Sequence, residues 1–243
     1  MFAISPINTT NKIYTPSFGV YYHTLEDKAG NIIYRGDTCF FRKDFNWPKF
    51  VDFIYEKYKD VNDVQIILHA CSNGEEAYSL IPVLIERLGR DAQKFFPILA
   101  KDIDATHIDL AKKGKYCMTF IEKQKACIYT NNKFDKYFNE IKLNSKEVVE
   151  PKEILKSAVK FEVGDILKDI QTIPLKNKIL LARNFMPYLG REKVYEYIQS
   201  LAKNFDKTTT LVIGGFDSEY GMDYVLEKYG FKRGQVNGIF ELK

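Results

Sequence analysis

The sequence predicts an α/β fold: a doubly wound, mostly parallel sheet with helices on both faces and an antiparallel terminal hairpin. Three observations carry this. Short apolar runs with strand character recur at 64–68, 96–100, 159–163, 179–182 and 209–214, and segments with helical apolar spacing separate them. The length of 243 residues suits one large domain, or one domain with a small appendage. A hydrophobic fraction of 45%, with 18 Phe and 16 Tyr, supplies the core that such a sheet needs.

Residues 1–36 read as an N-terminal tail followed by a β-hairpin or an extended lid. Pro6, Asn8, Thr9, Thr10, Pro16 and Ser17 punctuate a polar opening, and Lys28-Ala29-Gly30-Asn31 makes a turn between Val20-Tyr21-Tyr22 and Ile32-Ile33-Tyr34. Residues 37–243 form the main domain. It opens on a helix after Lys43, where Phe45, Phe50, Phe53, Ile54 and Tyr58 fall at near-helical spacing, followed by the first buried strand, Val64-Gln65-Ile66-Ile67-Leu68.

The turn Cys71-Ser72-Asn73-Gly74 leads into a helix over 75–88 with Glu75 and Glu76 at its positive end. A second strand at 96–100 precedes Lys101-Asp102-Ile103-Asp104 and a helix over 105–113. Residues 119–140 read as helical. The lysine- and glutamate-rich stretch at about 141–160 reads as a small β-subdomain or a surface excursion. Strand and helix then alternate to the end, with helices at 191–205 and 220–228.

Lys and Arg total 36 against 32 Asp and Glu, a net charge of +4 with no basic stripe. That balance, with no N/D-P-P-Y-like motif, argues against a nucleic-acid substrate. Four scattered cysteines, Cys39, Cys71, Cys117 and Cys127, form no C-x-x-C pair, so no metal site is expected. No run approaches the ~20 apolar residues that cross a bilayer, and the first ten residues lack the pattern of a secretory signal. A cytoplasmic location without membrane insertion is the expectation.

Ligands of doubly wound sheets bind at the carboxyl ends of the strands. Three ends carry informative residues: 69–76, 102–104 and 183–188. The first turn has only Gly74, so it is no G-x-G-x-x-G fingerprint, and its paired glutamates repel phosphate while favouring an amine or sulfonium. Asp102 either accepts hydrogen bonds from both ribose hydroxyls or caps the next helix, a role that Asp104 fits better.

Read in order, five blocks resemble the CheR methyltransferase family. They are Thr38-Cys39-Phe40-Phe41-Arg42; Cys71-Ser72-Asn73-Gly74-Glu75-Glu76-Ala77-Tyr78-Ser79-Leu80; Ala100-Lys101-Asp102-Ile103-Asp104 with Gly114-Lys115-Tyr116; Phe161-Glu162-Val163-Gly164-Asp165-Ile166-Leu167; and Ala182-Arg183-Asn184-Phe185-Met186-Pro187-Tyr188. The resemblance covers roughly 37–243. It implies a class I (Rossmann-like) methyltransferase domain that binds S-adenosylmethionine, yields S-adenosylhomocysteine, and forms methyl esters on glutamate side chains of a protein substrate such as a chemoreceptor cytoplasmic region.

Carried over by position, Thr38, Arg42, Cys71, Glu76, Asp102, Asp165, Ile166, Ala182 and Arg183 fall on cofactor-site positions, and Tyr188 matches a tyrosine near the transferred methyl group. Three positions depart from the pattern: Ala77 replaces a proline, and Gly36 and Asp165 replace asparagines. Chemotaxis members also carry a helical N-terminal domain that helps grip the receptor. Only about forty residues precede the first motif, so the resemblance implies a form lacking that domain.

Arg42 and Tyr188 are the candidate catalytic residues. Arg42 orients a carboxylate of acceptor or cofactor through its planar guanidinium, or is simply a surface arginine behind an aromatic pair. Tyr188 places a ring face or hydroxyl near the sulfonium, or is a core tyrosine. Glu76 complements the helix dipole or binds cofactor, and Arg183 is a cofactor contact or an ion-pair partner. His23, His69 and His107 receive no catalytic role. Two other readings remain: a methyltransferase with a different protein or small-molecule acceptor, and a non-catalytic cofactor-binding regulatory module. The sequence does not fix an oligomeric state.

Overall fold

The computed structural model describes residues 24–26, 32–34 and 38–243, apart from 144, 145 and 190. The expected tail at 1–18 and the expected strand at Val20-Tyr21-Tyr22 lie outside the described residues. Strand β1 (Thr24–Glu26) pairs antiparallel with β2 (Ile32–Tyr34).

The main domain begins with α1 (Trp47–Tyr58), started by Asn46, whose side chain accepts from Lys49 N, and by Pro48 in the first turn. Then follow β3 (Gln65–His69), α2 (Glu75–Leu88), a 3₁₀ turn at Gly89–Phe95, β4 (Ile98–Asp102) and α3 (Ala105–Lys113). Next come α4 (Phe120–Tyr129), the single turn α5 (Phe134–Tyr137), β5 (Phe138–Leu143), β6 (Lys146–Pro151) and the short α6 (Glu153–Lys156). The chain continues with β7 (Val159–Val163), α7 (Ile166–Thr172), β8 (Lys178–Leu181), a 3₁₀ turn at Met186–Leu189 and α8 (Arg191–Asn204). It closes with β9 (Thr210–Val212), α9 (Gly215–Glu219), α10 (Met222–Lys228), β10 (Phe231–Arg233) and β11 (Ile239–Leu242).

Seven strands form one sheet in the order β10-β11-β9-β8-β3-β4-β7. The pairs β3–β4, β3–β8, β4–β7 and β8–β9 are parallel, and β11 runs antiparallel to both neighbours. The doubly wound sheet with its antiparallel terminal pair is therefore as the sequence predicts. Period-two alternation divides the strands between two cores: Ile66, Leu68, Ile179 and Leu181 pack towards α1 and α2, whereas Ile67, Leu180 and Leu211 pack with Val194, Ile198 and Leu201 of α8. The winding reverses between β4 and β8 on either side of β3, which opens a crevice at the carboxyl end of β3.

Two local expectations change. The helical stretch expected to reach 140 ends at Tyr129, because Asn131 and Asn132 take left-handed backbone (φ 54° and 60°), and Phe138 already pairs with Pro151 in the β5–β6 hairpin. Helix α7 was not anticipated from its short apolar spacing; Asp165 caps it by accepting from Leu167 N at 3.0 Å.

Candidate active site

A crevice of about 440 Å³ opens where the winding reverses. It is lined by Thr38 and Arg42 before α1, by the turn after β3 with Glu76, by Asp102, Asp104 and His107 after β4, and by Arg183 and Tyr188 after β8. Seven of the ten expected site residues meet here: Thr38, Arg42, Cys71, Glu76, Asp102, Arg183 and Tyr188. Asp165, Ile166 and Ala182 do not line it. Ala182 is fully buried, Ile166 sits in the same core, and Asp165 spends one carboxylate oxygen on the α7 cap.

The backbone around the crevice is strained. Among the described residues, the only left-handed residues that are neither glycine nor asparagine are Phe41, Ala70 and Ser72 (φ 48°, 52° and 49°); Ala70 and Ser72 line it, and Phe41 directly precedes the lining residue Arg42. Gly74, at φ +90°, tops α2 where an added Cβ would come within 2.8 Å of the Phe161 ring, so the motif glycine is required there.

The Thr38–Arg42 block is anchored from below. Phe40 and Phe41 are fully buried; Phe40 N donates to Glu122 Oε1 (2.8 Å), and Phe41 N donates to Ser79 Oγ (2.9 Å). Rings of Tyr116 and Phe138 flank Phe40, and Tyr129 stacks on Phe41 at 5.4 Å. This anchoring leaves the Arg42 side chain at the crevice wall, where it makes no ion pair among the described residues.

Asp102 Oδ2 accepts from Ser72 N at 2.8 Å and Oδ1 from Asp104 N at 3.0 Å, so its carboxylate joins the loops after β3 and β4. Asp104, accepting from Thr106 N at 2.7 Å, caps α3 and settles which aspartate has that role. Across the crevice the Arg183 guanidinium donates to Glu76 Oε2 (2.9 Å) and Asp44 Oδ1 (3.2 Å) and lies over the Phe45 ring at 4.2 Å. Arg183 is thus an ion-pair partner as well as a lining residue. Burial alone would raise the Asp44 carboxyl, but Arg183, the Gly215 amide and Arg42 outweigh it and hold it below the usual range.

Sequence reasoning missed four contributors. Asp44 also accepts from Gly215 N at 3.0 Å, tying the first block to the loop after β9. Asp217, fully buried, accepts from the amides of Asn184, Met186 and Gly214 at 2.5, 3.1 and 2.9 Å, and burial outweighs those bonds to raise its carboxyl. His69 lines the crevice floor with Nδ1 2.8 Å from Tyr197 Oη; burial lowers its pKa to about 4, so it is neutral near pH 7. His107, one helical turn after Asp104, lines the rim with Nδ1 2.7 Å from Asn73 Oδ1. The spacing of Asp104 and His107 on one helix face was the available signal for the last. Asp44 and Asp217 act through contacts between distant segments and leave no such signal.

Residues 36–232 match the family model described as CheR methyltransferase, SAM binding domain. The chain belongs to this family. Chemotaxis protein methyltransferase 2 of Pseudomonas aeruginosa is 31% identical over 119 residues, 45% of this chain and 41% of that protein. The chemotaxis protein methyltransferase of Borreliella burgdorferi is 25% identical over 228 residues, 86% of this chain and 78% of that protein. A TehB-like SAM-dependent methyltransferase structure from Corynebacterium glutamicum superposes at TM-score 0.43 and 12% identity, over 84% of this chain and 90% of that one, too loosely to add to the strand order.

The cofactor of the CheR domain is S-adenosylmethionine, and the donor set fits it. The crevice pairs a carboxylate at the second strand end with an acidic first turn of α2, and it offers no glycine-rich phosphate cradle. Such a set accepts ribose hydroxyls and a cationic amine or sulfonium. Among the described residues, no helix is long and apolar enough to cross a membrane.

Proposed function

We propose that this CheR-family chain transfers a methyl group to the side-chain carboxylate of a glutamate on a protein of the chemoreceptor type. The observation that carries the reading is Arg42: a guanidinium at the crevice wall, directly after the buried Phe40 and Phe41 and with no ion pair among the described residues, is suited to orient an incoming carboxylate. The name chemotaxis protein methyltransferase, borne by the relatives, supports the choice of acceptor.

When bound, S-adenosylmethionine supplies an electrophilic methyl group on a sulfonium. In this reading Asp102 holds the ribose, Thr38, Cys71 and Glu76 face the methionyl part, and Arg183 keeps Glu76 in place from across the crevice. Tyr188 presents its ring at the mouth, where an aromatic face attracts positive charge. A glutamate, with a reference pKa of about 4.3, arrives already ionised, so no general base is needed. The residues contribute by aligning the carboxylate and excluding water, and orientation of this kind is worth several kcal/mol.

The test is incubation of the protein with methyl-labelled cofactor and a lysate of the source organism. Base-labile label on protein is the expected result. Base-stable label would move the acceptor to another nucleophile, and no transfer together with tight S-adenosylhomocysteine binding would favour a regulatory module.

A further inference from the structure

The crevice continues outward as an aromatic strip. Tyr188, on its rim and 61% exposed, contacts the Phe216 ring at a centroid distance of 5.4 Å, and Phe216 contacts Tyr220 at 4.8 Å. Tyr220 is 60% exposed at the outer end, so two successive ring spacings lead away from the site over open surface. On the opposite rim Ile103 is also exposed.

This strip is built from beneath. Buried Asp217 holds the backbone of Asn184 and Met186, just before Tyr188, and of Gly214, just before α9, while Asn184 Oδ1 accepts from Phe216 N at 3.0 Å. Asn184 takes left-handed backbone (φ 60°) to do so, and a Cβ at Gly214 would collide with its side chain. The two loops therefore carry their rings on one clamp, a preorganised surface that loses little freedom when covered. Two exposed tyrosines with a half-buried phenylalanine between them are what partner surfaces use as anchors.

We infer that the Tyr188-Phe216-Tyr220 strip is the docking surface for a polypeptide acceptor that lays an apolar side chain on the rings while its reactive group enters the crevice. The inference rests on the reading of a protein acceptor given above. Continuity is the reason for this occupant: Tyr188 belongs to both the crevice and the strip, so whatever covers the strip is attached to whatever enters the crevice. A small acid would end at Tyr188 and leave Phe216 and Tyr220 unused. A polypeptide extends past them.

The test measures initial transfer of label from methyl-labelled cofactor to protein, as a function of total lysate protein, for wild type, Tyr220→Ala, Tyr220→Phe and Tyr224→Ala. Tyr224 is equally exposed but makes no ring contact with the strip among the described residues, so its variant is the control. Loss of an interface tyrosine should raise the half-saturating lysate concentration about fivefold or more in Tyr220→Ala, with the plateau and the calorimetric affinity for S-adenosylhomocysteine within about twofold of wild type. Tyr220→Phe and Tyr224→Ala should follow wild type.

Coincident curves for Tyr220→Ala and wild type would overturn the inference, as would wild type that places no label on protein. Base-stable label with the Tyr220→Ala shift intact would sink the glutamate reading while upholding the strip.

Discussion

Arg183 meets Glu76 at 2.9 Å with its side chain only 1% exposed, and its other terminal nitrogen reaches Asp44 at 3.2 Å. One cation from the loop after β8 thus fixes a carboxylate on α2 and another before α1. Removing one partner of a buried pair leaves an uncompensated charge, which costs roughly 3–5 kcal/mol. Arg183→Met should lower the urea unfolding midpoint accordingly and weaken S-adenosylhomocysteine binding by calorimetry. Arg183→Lys should fail to restore either, because a single ammonium cannot span both carboxylates while lying on the Phe45 ring.

Arg42 carries no comparable structural task among the described residues, so its loss should be felt in turnover. Arg42→Ala is expected to reduce kcat about a hundredfold or more, the scale of one lost charge-orienting contact in a water-poor site, with a thermal midpoint near wild type. Unchanged turnover in a variant that still binds cofactor would remove Arg42 from the site. Loss of S-adenosylhomocysteine affinity would mean that the carboxylate Arg42 orients is that of the cofactor's methionyl end.

Gly74 combines a left-handed φ of +90° with a Cβ position 2.8 Å from the Phe161 ring. Gly74→Ala should destabilise the fold by about 1–3 kcal/mol through backbone strain, with more from the clash. Trimming the ring as well, in Gly74→Ala/Phe161→Leu, should relieve the clash and leave the strain. Differential scanning calorimetry of both variants measures the two parts.

His69 sets a pH dependence. Its native pKa of about 4 lies below the ~6.5 of an unfolded histidine, so between those values the unfolded chain binds the proton and the native chain does not. Its contribution to stability is fully present above pH 6.5 and is lost as pH falls towards 4, by roughly 3 kcal/mol in all. Denaturant titrations from pH 4 to 7.5 should show that slope, and His69→Gln should flatten it.

Much of this was legible because local physics leaves local marks. The apolar runs announced β3, β4, β7, β8 and β9; the acidic start of α2 announced a helix end suited to a cationic group; and the Asp104–Ala105 junction announced a cap. The motifs placed seven lining residues in one crevice because each block sits at the end of a strand or the start of a helix. Helix α7 escaped because it holds only seven residues, too few for periodicity to stand out.

The sequence by itself announced the five parallel strands and most of the helices between them, since these leave a pattern in spacing, and the resemblance of its ordered blocks pointed to the family and the cofactor. Tertiary structure alone decided that Arg183 spends its charge on Glu76 and Asp44, that Asp217 clamps two loops, and that Tyr188 stands in the open instead of the core. The bonds of Arg183 to Glu76 and Asp44, and of Asp217 to Asn184 and Met186, each span more than 30 positions, between segments whose local patterns are unremarkable. The free energy that fixes them comes from burying charges and rings together, which only the assembled sheet makes possible.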